Sequence, residues 1–501
     1  MRSSFLWIVV ACLVFHLSPA QQETSSAYHP EKKYPLSQMQ DDFWILQKAL
    51  EEAHPGLYTF HTASEFISRF DSIHAGLQED QTELDFFGAV TGLVSGIGCG
   101  HTSCSLSKAY TNNYEEKQAK LFPFEVKIVD HRVYLFSNFS TDSTIPNGSE
   151  LLGLNGQSTQ TILHLLLPHI PGDGVIEGLK YHILEKDFSL IYSEFISQPE
   201  WFSLRFRMPG EELISVRSLP GLHMPEIKKI KKKRTATLSG QITDTPPLNF
   251  QLTDDKIGVL TIHSFDNTDI TASKQKFKSF LRHTFDTLKY RGVNDLVIDL
   301  RNNEGGDDDF GWYLYSFLTD SAFRYYNRIE LASKKKYSCQ KFFSKKLVCR
   351  SLRFLSSKNS RGHIEWKHGS DTHIHQPGKI HFAGQVYVLI NGGSFSTTTE
   401  FAAICQFHQK AIFIGEETGG AYEGNNSGLF TILTLPDTHI RVKIPLFRYY
   451  MAVDTHHPSG RGVIPDVAIP PNINDVLKGV DTQKEYVLDY IRRKNCKGCS
   501  R

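Results

Sequence analysis

Three times in the second half of this chain, a short apolar run ends abruptly in a turn of small and polar residues. Leu296 to Leu300 leads into Arg301-Asn302-Asn303-Glu304-Gly305-Gly306, and Val386 to Ile390 leads into Asn391-Gly392-Gly393-Ser394-Phe395-Ser396. Ala411 to Ile414 leads into Gly415-Glu416-Glu417-Thr418-Gly419-Gly420. Apolar runs bounded this way read as strands buried on both faces. Helical patterns lie between them. Phe277, Leu281, Thr284 and Leu288 mark one helix face, and Phe310 to Phe317 and Thr399 to Phe407 mark two more helices. With a further strand at Ile257 to Ile262, this alternation predicts an α/β domain with parallel strands over residues 251–472.

Two of the turns carry the atoms that acyl transfer needs. Glycines let backbone amides approach a ligand closely, and turned amides at a strand end can bind an oxyanion. A serine between strand and helix presents its hydroxyl to the helix N-terminus, where free N–H groups can stabilise an acyl-transfer intermediate. Each turn alone could equally be a tight connection or a Ser/Thr N-cap. That reading leaves the recurrence of glycine-rich strand ends unexplained.

Four segments complete the pattern. They are Asp299 to Gly306, Ser394-Phe395-Ser396 with Glu400, Gly415 to Gly420, and Gly462-Val463-Ile464-Pro465-Asp466. In this order they resemble the tail-specific (C-terminal processing) serine protease family over about residues 250–470. Upstream, Gly98-Cys99-Gly100-His101-Thr102 resembles the glycine-histidine loop of its tricorn-core-like branch. The resemblance implies a crotonase/ClpP-like catalytic domain that hydrolyses peptide bonds. It makes Ser396 the nucleophile, because Ser396 stands four residues before Glu400, and Ser394 is the neighbour that could be confused with it. It gives the oxyanion hole to Gly305 or Gly306 with the N–H of Thr397. Many members use a lysine base, but Ala421 stands at that position here, and the next lysine is Lys443. The resemblance therefore implies His101 as general base. Gly100 and Ser459 replace two polar partners of the branch, which leaves Asp454 as the candidate orienting acid. An unperturbed imidazole would make the rate fall on acidification near about pH 6.5. No metal or organic cofactor is implied, since no H-E-x-x-H, P-loop or dinucleotide fingerprint occurs. Two other readings stay open. One is an α/β-hydrolase-type esterase, with Asp437, His456 and His457 following the serine. The other is a ligand-binding relative of the same fold with weak or lost catalysis.

Residues 30–115 read as an N-terminal helical domain. Thr62-x-x-Glu65 is a capping box ahead of Phe66, Phe70, Ile73 and Leu77. A second helix runs from near Thr82 to Val94, and a glycine-rich loop then presents His101. Residues 120–215 are expected to be a PDZ-like β module. Gly148 to Gly156 resembles the hairpin of domains that bind chain ends by strand addition, and a plain Asn-Gly hairpin is the other reading. Residues 216–250, with the basic run Lys228 to Arg234, read as a linker. Residues 322–380, rich in Lys, Ser and His, read as an insertion over the site. Residues 473–501 read as a C-terminal helix and tail.

Arg2, the apolar run Phe5 to Leu17 and Ser18-Pro19-Ala20 make residues 1–20 a secretory signal peptide. An uncleaved anchor, or a lipoprotein box at Cys12, are its alternatives. The expected location is secreted or periplasmic, with a peptide or protein as substrate. No other segment is apolar enough to span a bilayer. A net charge of +1 gives no global field for nucleic acid. Seven cysteines beyond the leader are too few for a disulfide scaffold, and Cys496-x-x-Cys499 reads as a local disulfide or two thiols. Asn138, Asn147 and Asn425 head glycosylation sequons that matter only in a eukaryotic secretory pathway.

Overall fold

Six strands form the sheet that carries the site, in the spatial order Leu248–Leu252, Ile257–Ile262, Asp295–Asp299, Gln385–Ile390, Ile412–Gly415 and Val467–Ala468. The first pair is antiparallel and the remaining pairs are parallel. The computed structural model describes residues 28–115, 117–238, 246–366 and 372–498. The expected signal peptide and Cys499 lie outside the described residues.

The inner strands are largely apolar because both faces are covered. Leu260, Ile262, Leu296, Ile298, Val388 and Ile390 face a large core shared with the helices Phe277–Arg291 and Thr397–Phe407. Ile257, Val259, Val297, Tyr387, Leu389 and Ile414 face the other way, onto Val487 and Ile491 of the helix Thr482–Gly498. That last helix, expected as a C-terminal helix and tail outside residues 251–472, packs against the sheet that carries the site.

A second sheet joins distant parts of the chain. Its order is Ser356–Lys358, Ile364–Trp366, Tyr326–Leu331, Arg441–Met451 and Asn426–Thr434, and Ser103–Ser105 also pairs with Arg441–Met451. The Lys-, Ser- and His-rich insertion is thus drawn into a ladder beside Arg441–Met451. A third, antiparallel sheet contains Phe124–Val129, Arg132–Asn138, Ser149–Leu154, Trp201–Arg207 and Ile214–Pro220. It has its own core with the helix Gly178–Phe195. The expected hairpin is present: Asn155 and Gly156 turn with φ of 50° and 83°.

The N-terminal helices are Leu36–Ala53, Ala63–Ala75 and Glu83–Ser95, and the last two begin in capping boxes at Thr62 and Thr82. The basic run Lys228 to Arg234, read as a solvated linker, lies in a helix, Met224–Leu238. Long Lys side chains are good helix formers when their charges face water. No helix among the described residues is long and apolar enough to cross a membrane. Cys99, Cys104, Cys339, Cys349, Cys405 and Cys496 are free thiols. Two sequon asparagines are closed to modification. Asn138 is buried and donates to the Asp142 and Ile145 carbonyls, and buried Asn425 donates to Glu400.

Candidate active site

Ser396 sits where the strand Gln385–Ile390 turns into the helix Thr397–Phe407. Its backbone is at φ 57° and ψ −128°, a conformation that costs a side-chain-bearing residue about 1–3 kcal/mol. Hydrogen bonds hold the turn there. The Phe395 N–H donates to the Asn303 carbonyl at 3.1 Å, and the Glu400 N–H donates to the Ser396 carbonyl at 3.0 Å. A strained strand-to-helix turn of this kind exposes the nucleophile above the sheet. Ser394 is different. It is fully buried; its Oγ donates to the Leu300 carbonyl at 2.9 Å and accepts from the Asn391 N–H at 3.1 Å. Its hydroxyl is occupied in joining two strand ends, so the choice between the serines falls on Ser396.

His101 Nε2 lies 3.1 Å from Ser396 Oγ, across 295 residues of sequence. The second sheet brings it there, because Ser103, two residues on, pairs with Lys443 in the ladder with Arg441–Met451. Asp173 fixes the loop from below. Its carboxylate accepts from the Gly100 N–H at 2.7 Å and from the Ala421 N–H at 3.3 Å. Burial pushes the Asp173 carboxyl up to about 6, against the pull of those two N–H groups, with Glu423 adding to the rise.

The His101 ring packs on Phe395, with centroids 4.4 Å apart, and near Phe430 at 6.2 Å. Burial, with the Lys443 charge nearby, pushes its pKa down to about 3. The imidazole is therefore neutral at ordinary pH and able to accept a proton at Nε2. Its Nδ1 is buried and makes no hydrogen bond among the described residues. Asp454 does not fill the orienting role expected of it. It is exposed and accepts instead from the His456 N–H at 3.2 Å. The loop it belongs to is tied elsewhere: Ser459 Oγ and the Gly460 N–H both donate to Glu423 at 3.0 Å.

The glycine turn separates the two hole candidates. The Gly305 N–H donates to Asn303 Oδ1 at 2.9 Å and is occupied. Gly306 bridges to Phe265 through its neighbours, the Gly305 carbonyl and the Asp307 N–H, which leaves its own N–H unused by the bridge. Thr397 opens its helix, where an N–H has no carbonyl one turn back. Its Oγ1 donates to the Gly306 carbonyl at 3.0 Å and locks the two donors together. Gly305 still has to be glycine: its φ is 98°, and a Cβ there would lie 2.7 Å from the Ser396 Cβ.

The other motif residues are braces. Arg301 bridges Asp299 and Asp481, tying the glycine turn to the C-terminal helix. Glu400 accepts from the Tyr326 hydroxyl at 2.5 Å and from Asn425 at 2.7 Å. Glu417 pairs with Arg461 and accepts from the Gly462 N–H, while Thr418 accepts from the Val463 N–H. His456 is exposed, and His457 stacks on Tyr422 with centroids 4.2 Å apart, so neither serves the serine.

A cavity of about 800 Å³ opens over the pair, lined by His101, Ser396, Gly305, Gly306, Phe430 and Lys443 among others. None of the described residues within 322–380 lines it, so the described part of the insertion does not cover the site. Lys443, remote in sequence from the expected lysine position, is close in space. Its ammonium lies 4.1 Å from the centre of the Phe430 ring, and burial lowers its pKa. Sequence reasoning missed Asp173, Lys443 and the latch at Asn303. Only Asn303 left a trace, as a member of the Asp299 to Gly306 motif.

A parallel sheet whose strand ends gather a strained serine, a neutral histidine and free amides defines a serine-type peptidase. Residues 256–469 match the model of peptidase family S41. The match lies in the domain that carries Ser396 and the glycine turns, and it supports the likeness to the tail-specific proteases. No curated protein matches the chain. Among solved structures, mature CPAF complexed with lactacystin is similar at 15% identity and a TM-score of 0.63, covering 92% of this chain and 98% of that one. A CPAF mutant matches at 14% identity and 0.63, covering 88% and 94%. The photosystem II D1 C-terminal processing protease matches at 15% identity and 0.41, covering 88% and 96%. At such identities the CPAF likeness speaks for the fold.

Proposed function

We propose that this peptidase cleaves protein chains through an acyl-enzyme on Ser396, with His101 as general base. The observation that carries the reading is the 3.1 Å approach of His101 Nε2 to Ser396 Oγ. Nε2 takes the Oγ proton as Oγ attacks the scissile carbonyl, and the N–H groups of Gly306 and Thr397 receive the oxyanion. The imidazolium then gives its proton to the leaving amine, and a water activated by the same nitrogen releases the acyl group. With no acid on Nδ1 among the described residues, the imidazolium is stabilised less than in a triad, where removing the acid's charge costs about 10⁴-fold in kcat. A slow serine–histidine dyad is the expected machine.

The antiparallel sheet within residues 120–215 acts as a PDZ-like module that receives a chain end by strand addition. The enzyme works outside the cytoplasm after loss of residues 1–20. Sequencing the N-terminus of the mature protein checks this, with Gln21 the expected first residue. The activity is tested on an unfolded protein substrate, by mapping new chain ends with wild type and with Ser396→Ala. New ends from wild type alone support the reading. Equal cleavage by both proteins contradicts it.

A further inference from the structure

Between Glu330 and Glu365 the chain carries ten lysines and arginines and no Asp or Glu. The whole protein has a net charge of +1, so the rest of the molecule is net negative and this segment is a concentrated positive patch. Glu330 is occupied by Arg328 and His363. Among the described residues, none of the ten cations is joined to an acid in an ion pair. Three are used internally: Lys334 donates to the Ser356 carbonyl, Lys341 lies over Phe342, and Arg353 lies near the Tyr337 ring. Lys335, Lys336, Lys345, Lys346 and Arg350 remain exposed.

The helix Lys346–Leu355 lies within this patch. Cys349 and Leu352 face the core. The opposite face, at i, i+3, i+4 and i+7, presents Leu347, Arg350, Ser351 and Phe354. Leu347 and Phe354 are 74% and 75% exposed, although nothing in a monomer's stability favours two large apolar side chains in water.

We propose that this helix, with the lysines before it, docks on an anionic lipid surface, Leu347 and Phe354 entering the boundary between headgroups and acyl chains. Basic charge around projecting Leu and Phe is the composition of an interfacial helix. Each basic side chain near an anionic bilayer strengthens binding about fivefold. A soluble polyanion would be met by the charges alone and would leave Leu347 and Phe354 unexplained. The helix is anchored beside the active site: Phe343 bridges to Leu433, and the Ser344 N–H donates to the Ile432 carbonyl, on the strand that contributes Phe430 to the cavity. Docking would bring the cavity close to membrane-associated substrates.

The test is co-sedimentation of the full protein with vesicles of phosphatidylcholine alone and of phosphatidylcholine mixed with phosphatidylserine. Binding only to the mixed vesicles, weakened by salt, is expected. Lys345→Glu with Lys346→Glu should lower it about a hundredfold or more, since each change removes one attraction and adds one repulsion. Leu347→Ser with Phe354→Ser should lower it at least tenfold, leaving hydrolysis of a soluble peptide unchanged. In Phe354→Trp, tryptophan emission should shift to the blue on mixed vesicles. Binding to heparin without binding to mixed vesicles would overturn the proposal. Vesicle binding that survives Leu347→Ser with Phe354→Ser would overturn it too.

Discussion

Ser396 and Ser394 are two residues apart and chemically identical, yet their surroundings assign them different work. Ser396→Ala removes the hydroxyl that lies 3.1 Å from His101 and should abolish hydrolysis without loss of fold. Ser394→Ala should instead lower stability by about 1–3 kcal/mol, because the Asn391 N–H and the Leu300 carbonyl lose a buried partner. Denaturant melts of both variants beside their activities separate the two roles. Asp173 is the other decisive residue at this scale. Its carboxylate holds the His101 loop through Gly100, and Glu423 and Arg448 line the same small cavity behind it. His101 is held down near 3, so it stays neutral through the mildly acidic range. Asp173, raised to about 6, gains a proton as the pH falls through that value and becomes a poorer acceptor. The rate should therefore fall below about pH 6 through Asp173, in place of the imidazole titration read from sequence. Asp173→Asn should lower kcat by up to about 100-fold, the scale of a misplaced catalytic group, with little change in KM. It should also erase the acid limb near 6. A limb that stays in this variant would assign the titration to His101.

Among elements, the glycine turn after Asp295–Asp299 is the most constrained. Gly305→Val puts a branched side chain at φ 98° against Ser396. Gly306→Val puts one within 2.1 Å of the Phe265 and Asp266 backbones. Each should reduce turnover about 100- to 1,000-fold, the scale of one lost oxyanion donor, as a peptide-hydrolysis assay would read. The four inner strands of this sheet were legible because both faces are covered, which makes their apolar runs continuous, whereas the edge strands Leu248–Leu252 and Val467–Ala468 were not read. Motif resemblance singled out Ser396 and His101, which the fold brings to 3.1 Å of each other. Asp173 was not, because it acts by joining two N–H groups from loops far apart in sequence. Lys443 was passed over as merely the next lysine along the chain, because only the ladder with Ser103 shows that it lines the cavity. The insertion's polar sequence suggested a cover, and only strand pairing with Arg441–Met451 shows where it goes.

At the scale of the molecule, the site is a junction of parts. In the proposed mechanism the N-terminal loop supplies the base and the parallel sheet the nucleophile and the hole, while the C-terminal helix covers the sheet's far face. Ile491→Ala should cost about 2–5 kcal/mol, as for other buried Ile truncations, because Ile491 packs on the strands that end in the site. Urea unfolding measures this directly. The central claim is that Ser396 and His101 act as one unit, and intact-mass analysis after reaction with a fluorophosphonate tests it most directly. One adduct, mapped to Ser396, is expected for wild type. It should be absent in Ser396→Ala, and in folded His101→Ala its formation should slow by about 10²–10⁴-fold, the usual contribution of a general base. An adduct on another residue, or undiminished labelling of His101→Ala, would contradict the account.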